Sequence, residues 1–90
     1  MGIEGVHIDE LYKVLAKITN ENTLKDFLND LCTFKEIEQM AQRLLSAKLL
    51  LGGETYESVI KKADISSATL SRVSKCVKYS NGYKKVLKND

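Results

Sequence analysis

Residues 56–75, YESVIKKADISSATLSRVSK, admit few local structures. Val59, Ile60 and Ala63 recur at helical spacing, and Thr55 is placed to cap a helix over residues 56–63. Leu70, Val73 and Val77 repeat at i, i+3 and i+7 as the inner stripe of a second helix, which Ser66 or Ser67 can cap. Asp64 stands between them, where two helices meeting at a tight corner need left-handed backbone. Gly is usual there, and Asp is one of the few other residues that tolerate it. Ile65 then points back inward. The inward positions fit a helix-turn-helix along its whole length. Ile60 departs from the pattern, because the position facing the second helix closely is usually Ala or Gly.

The outward positions of the second helix are Ser67, Ala68, Thr69, Ser71, Arg72 and Lys75. All are small, hydroxylated or basic. Hydroxyls and small apolar groups suit base edges and thymine methyls in a major groove, and Arg and Lys neutralise phosphates. A recognition helix presents its first turns to the bases, and here those turns carry nothing bulky or acidic. The plain alternative is a helical hairpin with a solvated polar face. The charge distribution leans toward the first reading, although a basic end can also be a solvated face. Residues 1–60 hold 6 basic and 10 acidic groups, whereas residues 61–90 hold 8 basic and 2 acidic. The overall charge of +2 therefore hides a basic end that starts inside the helix-turn-helix, the footprint expected for a polyanion partner.

Elsewhere only helical patterns occur, so the expected fold class is all-α, with six short helices in one domain spanning residues 1–90 and a frayed segment at 1–7. A first helix over residues 8–18 places Ile8, Leu11, Tyr12, Leu15 and Ile18 on one face. Asn20 and Asn22 mark a break. Thr23 with Asp26 resembles a capping box for a helix over residues 24–32 that buries Leu24, Phe27, Leu28 and Leu31. Thr33 with Glu36 is a stronger box and opens the longest helix, over residues 34–51. Its stripe of Phe34, Ile37, Met40, Ala41 and Leu44 widens to Leu45, Ala47, Leu49, Leu50 and Leu51. A helix apolar on most sides must be covered on most sides, and a 90-residue chain has few elements to do it. A second subunit is the natural cover. Gly52-Gly53 ends this helix, Tyr79-Ser-Asn-Gly82 reads as a turn, and a last helix covers residues 83–88.

Other classes are poorly supported. No apolar run approaches the roughly 20 residues that span a bilayer, and the N-terminus lacks the blocks of a signal peptide; a cytoplasmic protein without a membrane partner is expected. Cys32 and Cys76 lie far apart and His7 is the lone histidine, too few ligands for a structural zinc site. Both cysteines read as small buried hydrophobes. No nucleophile or general base has an orienting partner, so neither an enzyme nor a cofactor is expected.

These residues carry a resemblance. LLLGGE at residues 49–54, SATLSR at residues 67–72 and DLCTFKEIEQMAQR from Asp30 onward resemble the bacterial Trp repressor family, most of all its YerC/YecD branch. The similarity covers residues 31–78. It implies an intertwined helical homodimer in which helices four and five read DNA. DNA-facing positions carry over to Ser67, Ala68, Thr69 and Ser71, with phosphate contacts from Lys61, Lys62, Lys75 and Lys78. In the family two arginines hold the indole ring of a corepressor, and Arg43 and Arg72 occupy the matching positions. Two others differ: Val73 replaces a Gly, and Cys76 replaces a hydroxyl that helps hold the ligand's amino group. The expectation is a DNA-binding regulator of near-palindromic sites that tryptophan does not control, with any small-molecule effector unknown. The rival is a helical protein-interaction module without DNA binding.

Overall fold

A computed structural model describes residues 3–87 of the chain. Among these residues it is all-helical: α1 (Ile3–Lys17), α2 (Glu21–Leu31), α3 (Phe34–Leu51), α4 (Tyr56–Ala63), α5 (Ser67–Tyr79) and α6 (Gly82–Leu87). Internal packing gathers the described residues into two compact units, one ending at Ile37 and the other beginning at Glu38.

In the first unit, α1 begins at Ile3, five residues before the expected start. Residues 3–7 of the expected frayed segment are thus helical, and Met1 and Gly2 lie outside the described residues. The boundary of α2 also differs. Asn20, expected to break the chain, is its N-cap, and the Asn20 Oδ1 accepts the Thr23 N–H at 3.0 Å. Thr23 therefore lies inside the helix and opens no capping box. Asn caps as well as Thr, and starting three residues earlier places Glu21 in the first turn, where the helix dipole favours a carboxylate. The expected burial of α2 does not occur within one chain. None of its residues is buried, and Leu31 is 51% exposed. On α1, Ile8, Leu11 and Tyr12 are exposed too. The Thr33–Glu36 capping box is formed: the Glu36 N–H donates to Thr33 Oγ1 at 3.1 Å, and the Thr33 N–H to Glu36 Oε1 at 2.7 Å.

The second unit holds the core. Ala47, Val59, Ala63, Ile65, Leu70 and Val73 form one buried cluster, with Leu49, Leu50, Ile60, Val77, Tyr83 and Leu87 packed around it. Ile60, the residue out of pattern, is accommodated at the cluster's edge. Small residues let α3 enter this cluster: Ala47 and Ser46 are both buried, and the Ser46 hydroxyl donates to the Gln42 carbonyl one turn back at 2.8 Å. The remaining leucines of α3 find no such cover. Leu44, Leu45 and Leu51 stay exposed.

The end of α3 shows why two glycines stand there. Gly53 adopts φ +89°. Its N–H donates to the Leu50 carbonyl at 3.0 Å, and the Glu54 N–H reaches back to the Leu49 carbonyl at 3.1 Å. This paired closure satisfies carbonyls that helix termination leaves open, and it requires a left-handed residue at Gly53. The chain then turns directly into the cap of α4.

Candidate functional site

The helix-turn-helix is built as its local chemistry dictates. Thr55 Oγ1 accepts the Ser58 N–H at 3.2 Å and opens α4. Asp64 ends α4 at φ 53°, ψ 53°, the left-handed corner expected of it. Ser66, of the two serines considered, is the N-cap of α5, accepting the Thr69 N–H at 3.2 Å. Two further bonds fix the motif. The Tyr56 and Ser74 hydroxyls are hydrogen-bonded to each other, joining the first residue of α4 to the buried side of α5. The Gln42 side-chain amide donates to the Asp64 carbonyl at 3.1 Å, tying α3 to the corner.

This frame exposes Ser67, Ala68, Ser71, Arg72, Lys75 and Lys78 on α5, and Lys61 and Lys62 on α4. Thr69 is half-buried, and its Oγ1 accepts a bond from the Ser66 hydroxyl at 3.0 Å, so it serves the cap as well as the outer face. Lys62 is also engaged. Its Nζ lies 2.7 Å from Glu54 Oε1, the same oxygen that accepts the Ser58 hydroxyl at 2.6 Å. The Lys62 ammonium, then the Ser58 hydroxyl, hold the Glu54 carboxyl below its ordinary pKa.

A pocket of about 520 Å³ adjoins the exposed face, sharing Ala68 and Arg72 with it. It brings together all four residues expected to frame an effector site, Arg43, Arg72, Val73 and Cys76, with Ala68, Thr69 and Tyr83 completing the wall. Val73 is only 1% exposed and belongs to the core cluster, so its branched side chain has no room to swing away. Cys76 is half-buried and free, as is Cys32, which caps the end of α2; neither is the fully buried residue expected. A larger groove of about 750 Å³ lies between the end of α3 and α6.

Sequence reasoning missed Tyr83, Gln42, Tyr56, Ser74 and Glu54 as parts of this region. Tyr83 sits in a helix of six residues, too short for a periodic pattern to assign its face. Gln42–Asp64 and Tyr56–Ser74 are bonded across 22 and 18 residues, which no spacing rule announces, and Glu54 reaches Ser58 from outside α4, where helical spacing does not apply. His7 is exposed on α1, in the other unit. No group of metal-ligating side chains occurs among the described residues, and no described helix is long and apolar enough to cross a membrane.

Comparison with known proteins gives three findings. A family model for the Trp repressor protein matches residues 6–90. YerC of Bacillus subtilis strain 168, described as uncharacterized, is 35% identical over 79 residues, covering 88% of this chain and 76% of YerC. The crystal structure of a candidate Trp repressor from Staphylococcus aureus superposes with a TM-score of 0.87 at 32% identity, covering 99% of this chain and 93% of that one.

Proposed function

Because the chain belongs to the Trp repressor family, we propose that it is a sequence-specific transcriptional regulator that binds a near-palindromic DNA site as a homodimer and does not take tryptophan as its controlling ligand. The observation that carries this is the exposed face of α5. Ser67, Ala68, Ser71, Arg72 and Lys75 are presented together on a helix whose start, corner and flank are each held by a named bond. The first turn meets base edges, while Arg72, Lys75, Lys78 and Lys61 meet phosphates. Selection of binding sites from random duplexes tests it. The expected result is a two-fold symmetric site with half-sites about one helical turn apart, bound with a steep salt dependence. Asymmetric sites, or binding indifferent to salt, count against it and favour the interaction-module alternative.

The homodimer is supported by the apolar faces that one chain leaves open, Leu44, Leu45 and Leu51 on α3 and Ile8, Leu11 and Tyr12 on α1. If these are buried by a partner, folding and association are coupled. A tenfold dilution then costs about 1.4 kcal/mol per dimer, which lowers the melting temperature by about 3–5 °C for a dimer of this size. A melt unchanged by dilution, with a monomer mass in sedimentation, would exclude this assembly.

The pocket supports the reading on tryptophan. Val73 lines it from the core where the family has glycine, and crowding an indole against that branched side chain costs about 1–3 kcal/mol. Cys76 offers a weak acceptor in place of a hydroxyl, which costs the ligand's ammonium roughly another 1–3 kcal/mol. Each 1.4 kcal/mol is about tenfold in affinity, so a micromolar ligand moves toward millimolar. In calorimetry, L-tryptophan is expected to show no micromolar binding and no tightening of the DNA complex. Val73→Ala, which trims the branch but keeps a good helix former, is expected to strengthen whatever weak binding remains while costing some stability, because Val73 is also part of the core.

A further inference from the structure

We infer that Glu54 withholds Lys62 from the DNA backbone and so restrains the sequence-independent part of the affinity, an inference that rests on the DNA-binding reading above. The argument is geometric. Glu54 directly precedes the Thr55 cap, and its backbone is fixed by the bond to the Leu49 carbonyl that closes α3. Ser58 and Lys62 stand one turn apart on the same side of α4, and Glu54, just outside the helix, meets both. A single carboxylate oxygen, Oε1, takes both the Ser58 hydroxyl at 2.6 Å and the Lys62 ammonium at 2.7 Å.

The hydroxyl is what gives this pair a consequence. An exposed ion pair is weak by itself, and here 57% of the Lys62 side chain and 30% of the Glu54 side chain remain accessible. A phosphate could therefore draw the ammonium away. Anchored by Ser58, however, the carboxylate stays beside the place the phosphate would occupy and repels it. While Glu54 is charged, the pair presents no net positive charge and releases no counterion on binding. Lys61, one residue earlier on α4 and exposed, has no such restraint at this carboxylate.

The test is the salt dependence of duplex binding by the full chain, on both the selected site and a random duplex. Glu54→Gln removes the charge at nearly constant shape. With Lys62 released to one phosphate per motif, the plot of log affinity against log salt steepens by about 0.9, or about 1.8 per dimer. Between 50 and 200 mM salt the loss of affinity should thus grow by about tenfold over the parent, on both duplexes alike. Glu54→Ala should do the same, and in a Lys62→Ala background Glu54→Gln should leave the slope where it was. An unchanged slope in Glu54→Gln, or equal steepening without Lys62, overturns the inference and leaves the DNA-binding proposal standing. A parent chain that binds no duplex with salt dependence overturns both.

Discussion

Replacing Leu70 by Ala is expected to destabilise each chain by about 2–5 kcal/mol, enough to remove much of the stability of so small a protein. Leu70 has no solvent exposure and is the largest of the fully buried side chains. The other members of its cluster come from three helices and the corner: Ala47 on α3, Val59 and Ala63 on α4, Ile65 at the turn, and Val73 one turn along α5. Backbones held by the Gln42–Asp64 and Tyr56–Ser74 bonds cannot easily collapse into the vacated space. Incomplete relaxation is what adds a cavity cost to the lost burial. Leu70→Met, which nearly conserves volume, should cost less than about 1.5 kcal/mol. Chemical denaturation of the three proteins at one concentration makes the comparison. An alanine variant as stable as the parent would show that α5 is not the centre of the core.

Replacing Ser71 by Glu is expected to weaken specific DNA binding by at least about a hundredfold while leaving the melt unchanged. Ser71 is exposed on α5 and has no part in the core cluster, so the fold has no stake in it. In the proposed complex the added carboxylate faces base edges lined by phosphates, once per subunit. Like charges brought together at an interface cost several kcal/mol. Fluorescence anisotropy on the selected duplex, beside a thermal melt, separates lost recognition from lost folding. Lys75→Ala should behave differently, reducing affinity for all sequences to a similar extent because a phosphate contact carries no sequence information. Parent-like binding by Ser71→Glu would remove α5 from the role of reader.

What the sequence foretells follows a physical division. Thr55, Asp64, Ser66, Thr33 with Glu36, and Gly53 each act within about one turn of their own position. Their side-chain chemistry therefore names the start, corner or end they make. The bounds of α3 and α4 agree with expectation for that reason. Pattern alone misplaces the start of α2, because two nearby residues, Asn20 and Thr23, offer equally good cap chemistry and a single turn of helix decides between them. Burial on α2 is misjudged for a different reason. An apolar stripe shows that a face seeks cover, but not whether the cover belongs to the same chain. The pocket is half legible: Arg43, Arg72, Val73 and Cys76 can be named together only through resemblance to a family, and Tyr83 joins them through packing that no pattern in its short helix discloses.

The bond from Gln42 to the Asp64 carbonyl makes α3 the mount on which the reader is set. A recognition helix on a flexible tether can search for its own angle and tolerate half-sites at several separations. Here the corner is pinned to α3, and α3 also carries the leucines proposed to meet a partner. In such a dimer the distance between the two readers behaves as a property of the scaffold, like the gap of a fixed caliper. Related chains that use a different half-site separation should then differ along α3, and not only on the residues that touch the bases.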